Sequence, residues 1–256
     1  MTEPSVLTER IGSAAYLVLN RPKSINALDH QMALEMARLL DEWAADDSVD
    51  VVVVSGAGER GLCAGGDIVA IHRDAAALSG DPAAGDEHAE QSPSAKFWFD
   101  EYRLNAEIAR FPKPYVALMG GIVMGGGVGI SAHGNTRIVT DRTRLAMPET
   151  GIGFVPDVGG THLLAAIPDQ LGTYLALTAA SITGADAVAL GLADHHVPAD
   201  RLDEFLDAVV GKGPDAAVAT FATTPPPSDL AAQGQWTASA FDSDSVAEIV
   251  TRCRDL

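Results

Sequence analysis

Four consecutive valines in VVVVS (51–55) constrain the fold more than any other stretch of this chain. A strand with one wet face alternates apolar and polar residues. This run does not alternate, so it is predicted to be buried on both faces, inside a sheet covered on each side. YVALM (115–119) reads as a second buried strand. AAYLVL (14–19) is a short apolar run of strand formers, stopped by Asn20-Arg21-Pro22.

Helical spacing fills the gaps between these strands. Asp29 is placed to cap a helix over 30–44 with Leu34, Ala37, Leu40 and Trp43 on one face. A second helix is expected from about Asp67 to Leu78, and FWFDEYRLNAEIARF predicts a third over 97–111, ended by Pro112 and Pro114. The polar run 79–96 between them reads as a mobile insertion. GGIVMGGGVGI is expected to become a small-residue helix through about His133, followed by short strands in TRIVT and RLAM. Beyond Gly159 the pattern is helical, over roughly 160–166, 170–179, 184–190 and 200–210, with Asp200 as the cap of the last. TTPPPSD (223–229) is a linker, and Ser245 with Glu248 forms a capping-box pattern. The order is α/β, then mostly helical.

With 256 residues, the chain is most simply one large domain, or one domain with an appendage. Its 35 acidic against 17 basic residues give a net charge of −18, which argues against nucleic acid and anionic membranes as partners. No stretch reaches the ~18 apolar residues of a membrane helix. The first twenty residues lack the basic start of a signal peptide. Two isolated cysteines, Cys63 and Cys253, suit a reducing compartment, and the expected location is cytoplasmic.

Gly56-Ala-Gly58-Glu-Arg-Gly61 matches a dinucleotide-binding pattern after a strand, but the next five residues remain loop where a helix is required. Phosphate-loop and serine-hydrolase motifs are absent. Two other glycine clusters, Gly65-Gly66 and Gly125-Gly126-Gly127, each follow a buried strand and precede a helix. Together they can aim two backbone N–H groups at one oxygen; either alone is better read as a tight turn. AMPETGIGFVPDVGG (146–160) adds two carboxylates, Glu149 and Asp157, in an apolar setting with no basic residue. Each has an ordinary reading as a cap, Asp157 for the helix near Gly159. Glu101, taken alone, reads as solvated or paired with Arg103 or Arg110. His133, His162, His195 and His196 lack metal-ligand spacing, and Cys63 reads as a packing residue.

NRPKSINALD, VVVVSGAG, GLCAGGDI, KPYVALMGGIVMGGGVGIS and AMPETGIGFVPDVGGTHLL, in this order, resemble the enoyl-CoA hydratase/isomerase (crotonase) superfamily over about residues 5–210. The resemblance implies a spiral of β-β-α repeats followed by a helical C-terminal region, divided here as 1–198 and 199–256. FWFDEYRLN, GGIVMGGGVGISAHG and PETGIGFVPDVGG bring the chain nearest the 3-hydroxyisobutyryl-CoA hydrolase branch, which continues past SDSVAEIVTRCRDL, so the helical end is expected to be shortened. Hydratases carry one catalytic glutamate where this chain has Gly129. The other aligns with Glu149, and Asp157 stands where hydratases commonly have glycine.

The resemblance therefore implies an acyl-CoA thioesterase acting on 3-hydroxyisobutyryl-CoA or a similar β-hydroxyacyl-CoA. It assigns Gly66 and Gly126 N–H to an oxyanion hole, Glu149 and Asp157 to catalysis, and Glu101 to the acyl end. Ala64 would lie along the adenine, with Arg60 and Lys23 at the phosphates. No cofactor is implied, since coenzyme A is part of the substrate, and family members commonly form trimers or hexamers. Two alternatives stand beside this one: an enoyl-CoA hydratase/isomerase-type reaction, and a non-catalytic CoA-binding or assembly subunit.

Overall fold

The structure, a computed structural model, describes residues 3–79 and 90–255. The valine run becomes strand β3 (Val51–Gly56), and its side chains alternate between two separate cores. Val52 and Val54 join one core, with Leu17, Leu19, Met119 and Val139. Val51 and Val53 join the other, with Val116, Ile138, Phe205 and Val209. The expected burial on both faces is what the strand shows.

Around β3 the large sheet runs β1 (Val6–Ile11), β2 (Ala14–Leu19), β3, β4 (Tyr115–Met119), β6 (Thr136–Val139) and β9 (His195–His196). From β2 to β9 all neighbours are parallel, and β1 pairs antiparallel with β2 in the register Val6↔Leu19 to Ile11↔Ala14. A second sheet holds β5 (Ile122–Met124), β7 (Arg144–Ala146) and β8 (Ile182–Thr183). Consecutive strands β4 and β5, then β6 and β7, thus enter different sheets. This is the expected α/β spiral, and the C-terminal part is helical as expected.

Helix α1 (His30–Ala45) begins where Asp29 Oδ1 accepts from Met32 N at 2.9 Å. Its buried stripe is Met32, Ala33, Met36, Leu39, Leu40 and Trp43, while Leu34 is 41% exposed. The helix was expected, but its buried face lies to one side of the expected one. The unbranched Met32 and Met36 fill the core in place of Leu34. Helix α2 (Ile68–Ser79) follows the glycine loop. Helix α3 (Pro93–Ile108) starts earlier than expected, because Ser92 caps it and Pro93 takes its first position. Of the segment read as a mobile insertion, residues 80–89 lie outside the described residues, and residues 93–96 form the first turn of α3.

The small-residue helix is much shorter than expected: α4 covers only Gly126–Gly129, because IVM before it is spent on β5. Further on come α5 (Gly160–Ala165), α6 (Leu171–Thr178), α7 (Gly184–Ala189), α8 (Leu202–Lys212) and α9 (Pro214–Phe221). Asp200 sits in a 3-10 turn (Ala199–Arg201) and does not cap α8, whose N-cap is Arg201 without a side-chain bond. Phe205 and Val209 of α8 and Ala217 of α9 cover the second face of the large sheet. The last two helices, α10 (Gly234–Phe241) and α11 (Val246–Arg254), lean on α6 through Phe241, whose ring meets Tyr174 edge to face at 5.4 Å. Ser245 caps α11 by accepting from Glu248 N, but the expected capping box is only half formed, since Ser245 N donates to Ser243 Oγ and the Glu248 side chain bonds Ser243 and Arg252.

The orientation of α1 is testable by urea unfolding. Met36→Ala is expected to lose about 2–5 kcal/mol of stability, and Leu34→Ala to stay within about 0.5 kcal/mol of the parent. Equal losses would contradict the orientation.

Candidate active site

The loop after β3 doubles back along β5. Cys63 N donates to the Ile122 carbonyl at 3.1 Å, and Met124 N donates to the Cys63 carbonyl at 3.0 Å. On its other side the loop is pinned by Ala64 N to Ile25 O at 2.9 Å and Leu28 N to Gly65 O at 2.8 Å. This double pairing lays Gly66 beside Gly126, so that a Cβ built on Gly126 would lie 3.4 Å from the Gly66 nitrogen. Gly65 turns at φ +102° and Gly125 at φ +49°, conformations that a side chain resists. Among the described residues, no backbone carbonyl accepts from the N–H of Gly66 or of Gly126.

Both glycines line a cavity of about 220 Å³. Its walls are Ile68, Ile71, Phe97, Trp98 and Phe154, and its acids are Glu101 from α3 with Glu149 and Asp157 from the segment after β7. Among the described residues, no basic side chain lines it. Glu101 is 2% exposed and its Oε1 has no hydrogen-bond partner. Desolvation, then the charges of Asp157 and Glu149, push its pKa up to about 8. The solvated or arginine-paired reading of Glu101 therefore fails. Glu149 is also buried, with Oε2 unpartnered. Its pKa rises to about 7, mainly by desolvation, against a hydrogen bond from its own backbone amide and with Asp157 adding to the rise. Both carboxyls are held well above the usual glutamate range by desolvation.

Asp157 does not cap α5. Gly159 occupies the N-cap position with no side-chain bond, and Asp157 Oδ2 instead accepts from the Tyr102 hydroxyl at 2.7 Å. The next residue, Val158, adopts φ +47°. A β-branched residue there is strained by about 1–3 kcal/mol and persists only where its surroundings fix it. They do so here: the Val158 side chain is buried, and His133 Nε2 bonds the Val158 carbonyl at 2.7 Å. That side chain also closes the space over Gly129. A Cβ on Gly129 would meet Val158 Cβ at 2.6 Å and the Asn105 amide nitrogen at 2.9 Å.

Ala64 lines the cavity. Arg60 and Lys23 stand outside it on the surface, with Arg60 Nη1 3.5 Å from the Lys23 carbonyl. Cys63 is fully buried and its thiol is pushed up to about 12 by desolvation, which suits packing and not nucleophilic attack. No group of three or more His, Cys, Asp or Glu side chains among the described residues is set to hold a metal ion. Sequence reasoning missed Trp98, Tyr102 and Asn105. Their signal was the spacing 98, 101, 102, 105, which puts all three on one helical face with Glu101.

Comparison with known proteins follows the same lines. A family model described as enoyl-CoA hydratase/isomerase matches residues 14–255. The mitochondrial 3-hydroxyisobutyryl-CoA hydrolase of Danio rerio is 44% identical over 198 residues, covering 77% of this chain and 49% of that protein. The chain thus spans about half the length of that relative. A solved structure described as a carnitinyl-CoA dehydratase from Mycobacterium thermoresistibile is 52% identical with a TM-score of 0.91, over 99% of this chain and 71% of that one. One described as an enoyl-CoA hydratase from Rhodobacter sphaeroides 2.4.1 is 38% identical with a TM-score of 0.86, over 99% and 70%. Sequence and fold agree that the chain belongs to the enoyl-CoA hydratase/isomerase family.

Proposed function

We propose that the protein hydrolyses an acyl-CoA thioester, 3-hydroxyisobutyryl-CoA or a similar β-hydroxyacyl-CoA, at the cavity between α3 and the segment after β7. The observation that carries the choice is at Gly129. Water addition by two glutamates needs a carboxylate there, and Val158 and Asn105 occupy that space. Support also comes from the relatives named 3-hydroxyisobutyryl-CoA hydrolase. A hydration reading draws on the names of the solved structures, and the assays below separate the two.

In this mechanism the thioester oxygen lies between the Gly66 and Gly126 N–H groups, which stabilise the negative charge as the carbonyl becomes tetrahedral. Ionised Glu149 takes a proton from water as its oxygen attacks the carbonyl carbon. Collapse breaks the C–S bond, and the departing thiolate takes a proton from neutral Glu101. The alternative has Glu149 attack the carbonyl itself, giving an anhydride that water then opens. Label in Glu149 after single turnover in oxygen-18 water marks the anhydride route with water opening the anhydride at the glutamyl carbonyl. Asp157 stabilises or protonates the opposite side of the reacting group, or holds the substrate's hydroxyl, and Glu101, expected only at the acyl end, takes a proton-transfer role because of its burial. Ala64 serves the adenine, and Arg60 and Lys23 serve the phosphates as surface cations. The two cysteines, both free, support a reducing, cytoplasmic setting.

Thiol release from 3-hydroxyisobutyryl-CoA is expected for the parent protein. Glu149→Gln should lower kcat by about 10²–10⁴. Turnover of crotonyl-CoA without thiol release would sink hydrolysis in favour of hydration, and CoA binding without any turnover would favour a non-catalytic role.

The pH dependence follows from the two carboxyls. Glu149 must be ionised and Glu101 protonated, so kcat/KM should rise as pH passes about 7 and fall as it passes about 8. The apparent values belong to the pair. Glu101→Gln should remove the alkaline fall and keep the acid limb; an unchanged profile would remove Glu101 from proton transfer.

Gly129→Ala tests the packing. Its Cβ would force Val158 or Asn105 aside, with an expected loss of about 1–3 kcal/mol in denaturant unfolding. No loss would show that the space can open to a larger side chain.

A further inference from the structure

Asp157 is held in the cavity by contacts that its own helix does not supply. The Tyr102 hydroxyl donates to Asp157 Oδ2 at 2.7 Å. One turn earlier on α3, Trp98 meets Phe154 edge to face with ring centroids 6.1 Å apart. Positions 98 and 102 share a helical face, so these two contacts clasp α3 to the segment 154–157 across the cavity. Glu101 and Glu149, the two cavity-lining carboxyls with an oxygen that lacks a partner among the described residues, come from the same two elements that the clasp joins.

The backbone after Asp157 makes the clasp more than a surface contact. Val158 is kept at φ +47° and bonded through its carbonyl to His133, and α5 starts without the side-chain cap that Asp157 could have given it. A strained residue and a forgone cap both disfavour this turn locally. What the turn yields is an aspartate directed at Tyr102 and the cavity, away from the helix end.

We infer that Tyr102 is a positioning residue: its hydroxyl fixes one oxygen of Asp157, leaving Oδ1 to serve a group in the cavity. Tyr102 acts through Asp157 and sets the spacing between α3, with Glu101, and the segment that carries Glu149 and Asp157. The inference rests on the proposed thioester hydrolysis for its kinetic consequences, and on the structure alone for the clasp.

Tyr102→Phe keeps the ring and removes the hydroxyl. The expected result is a fall in kcat of about tenfold, the worth of one hydrogen bond to a charged group. KM for 3-hydroxyisobutyryl-CoA should change by less than about threefold, because ground-state binding is retained. Affinity for free CoA should be unchanged. If Tyr102 acts through Asp157, Tyr102→Phe added to Asp157→Asn should cost no more than Asp157→Asn alone. An unchanged kcat in Tyr102→Phe, or a double variant slower by the full Tyr102 factor, overturns the inference. Should the parent protein release no thiol, the proposed hydrolysis fails and hydrogen exchange decides the clasp. The amides of Phe154 and Gly160, which donate to the Glu149 and Asp157 carbonyls, should then exchange about tenfold faster in Tyr102→Phe, and unaltered exchange would refute it.

Discussion

The two-faced burial of β3 is the constraint on which the rest depends. Val51 to Val54 alternate between two cores and are each almost wholly buried. Fully burying a valine stabilises by roughly 1.5–3 kcal/mol, so four of them rival the ~5–15 kcal/mol net stability of a typical domain. Neither face can be left open. Helices α1 and α3 lie with one core, and α8 and α9 close the other. With both faces covered, a ligand is left the ends of the strands, where chain segments must turn. The segments after β3, β5 and β7 meet there and supply Gly66, Gly126 and Glu149.

Those ends are apolar enough to make carboxyls expensive. Among the described residues Glu101 and Glu149 are buried without a cation, and desolvation is the first cause of both raised pKa values. The sign for stability follows directly. Each folded pKa lies above the ordinary glutamate value of 4.5, so the fold favours the protonated form, and stability is lost as pH rises from 4.5 toward about 7 for Glu149 and about 8 for Glu101. A chain selected for stability alone would put an apolar residue or a paired acid at these positions. Their persistence, beside two N–H groups with no backbone acceptor, is the physical sign of a site.

Much of this was legible in the residues, and the exceptions have physical causes. β3, β4 and β2 announced themselves by unbroken apolar runs. β1 was missed because it is an edge strand with only Val6 buried, so its sequence carries little pattern. β5, β8 and β9 were missed because runs of two or three residues carry little pattern of their own, although the equally short β7 showed in RLAM. In the site, the glycine pairs and the acids were visible as residue types in an odd setting. Glu101 was underrated because a glutamate on an amphipathic helix is usually wet. Only the packing of α3 against α4, which sets Glu101 Oε1 2.5 Å from a Cβ built on Gly126, reveals its burial. Tyr102 stayed hidden because its partner is 55 residues away.

One fold hosts several reactions in this family, so relatives named as a hydrolase and as hydratases do not conflict. In this chain one backbone turn bears on both acid positions. The turn that carries Asp157 into the cavity also drives Val158 to φ +47°, and Val158 is the residue whose Cβ would collide with any side chain at position 129. Gaining an acid at 157 and losing room for one at 129 are therefore two consequences of the same turn. A glutamate at 129 would need Val158 to leave, and without Val158 in place the segment loses the packing that sustains its strained conformation. In this chain the turn at Asp157 and Val158 and the lack of room at position 129 are one packing arrangement.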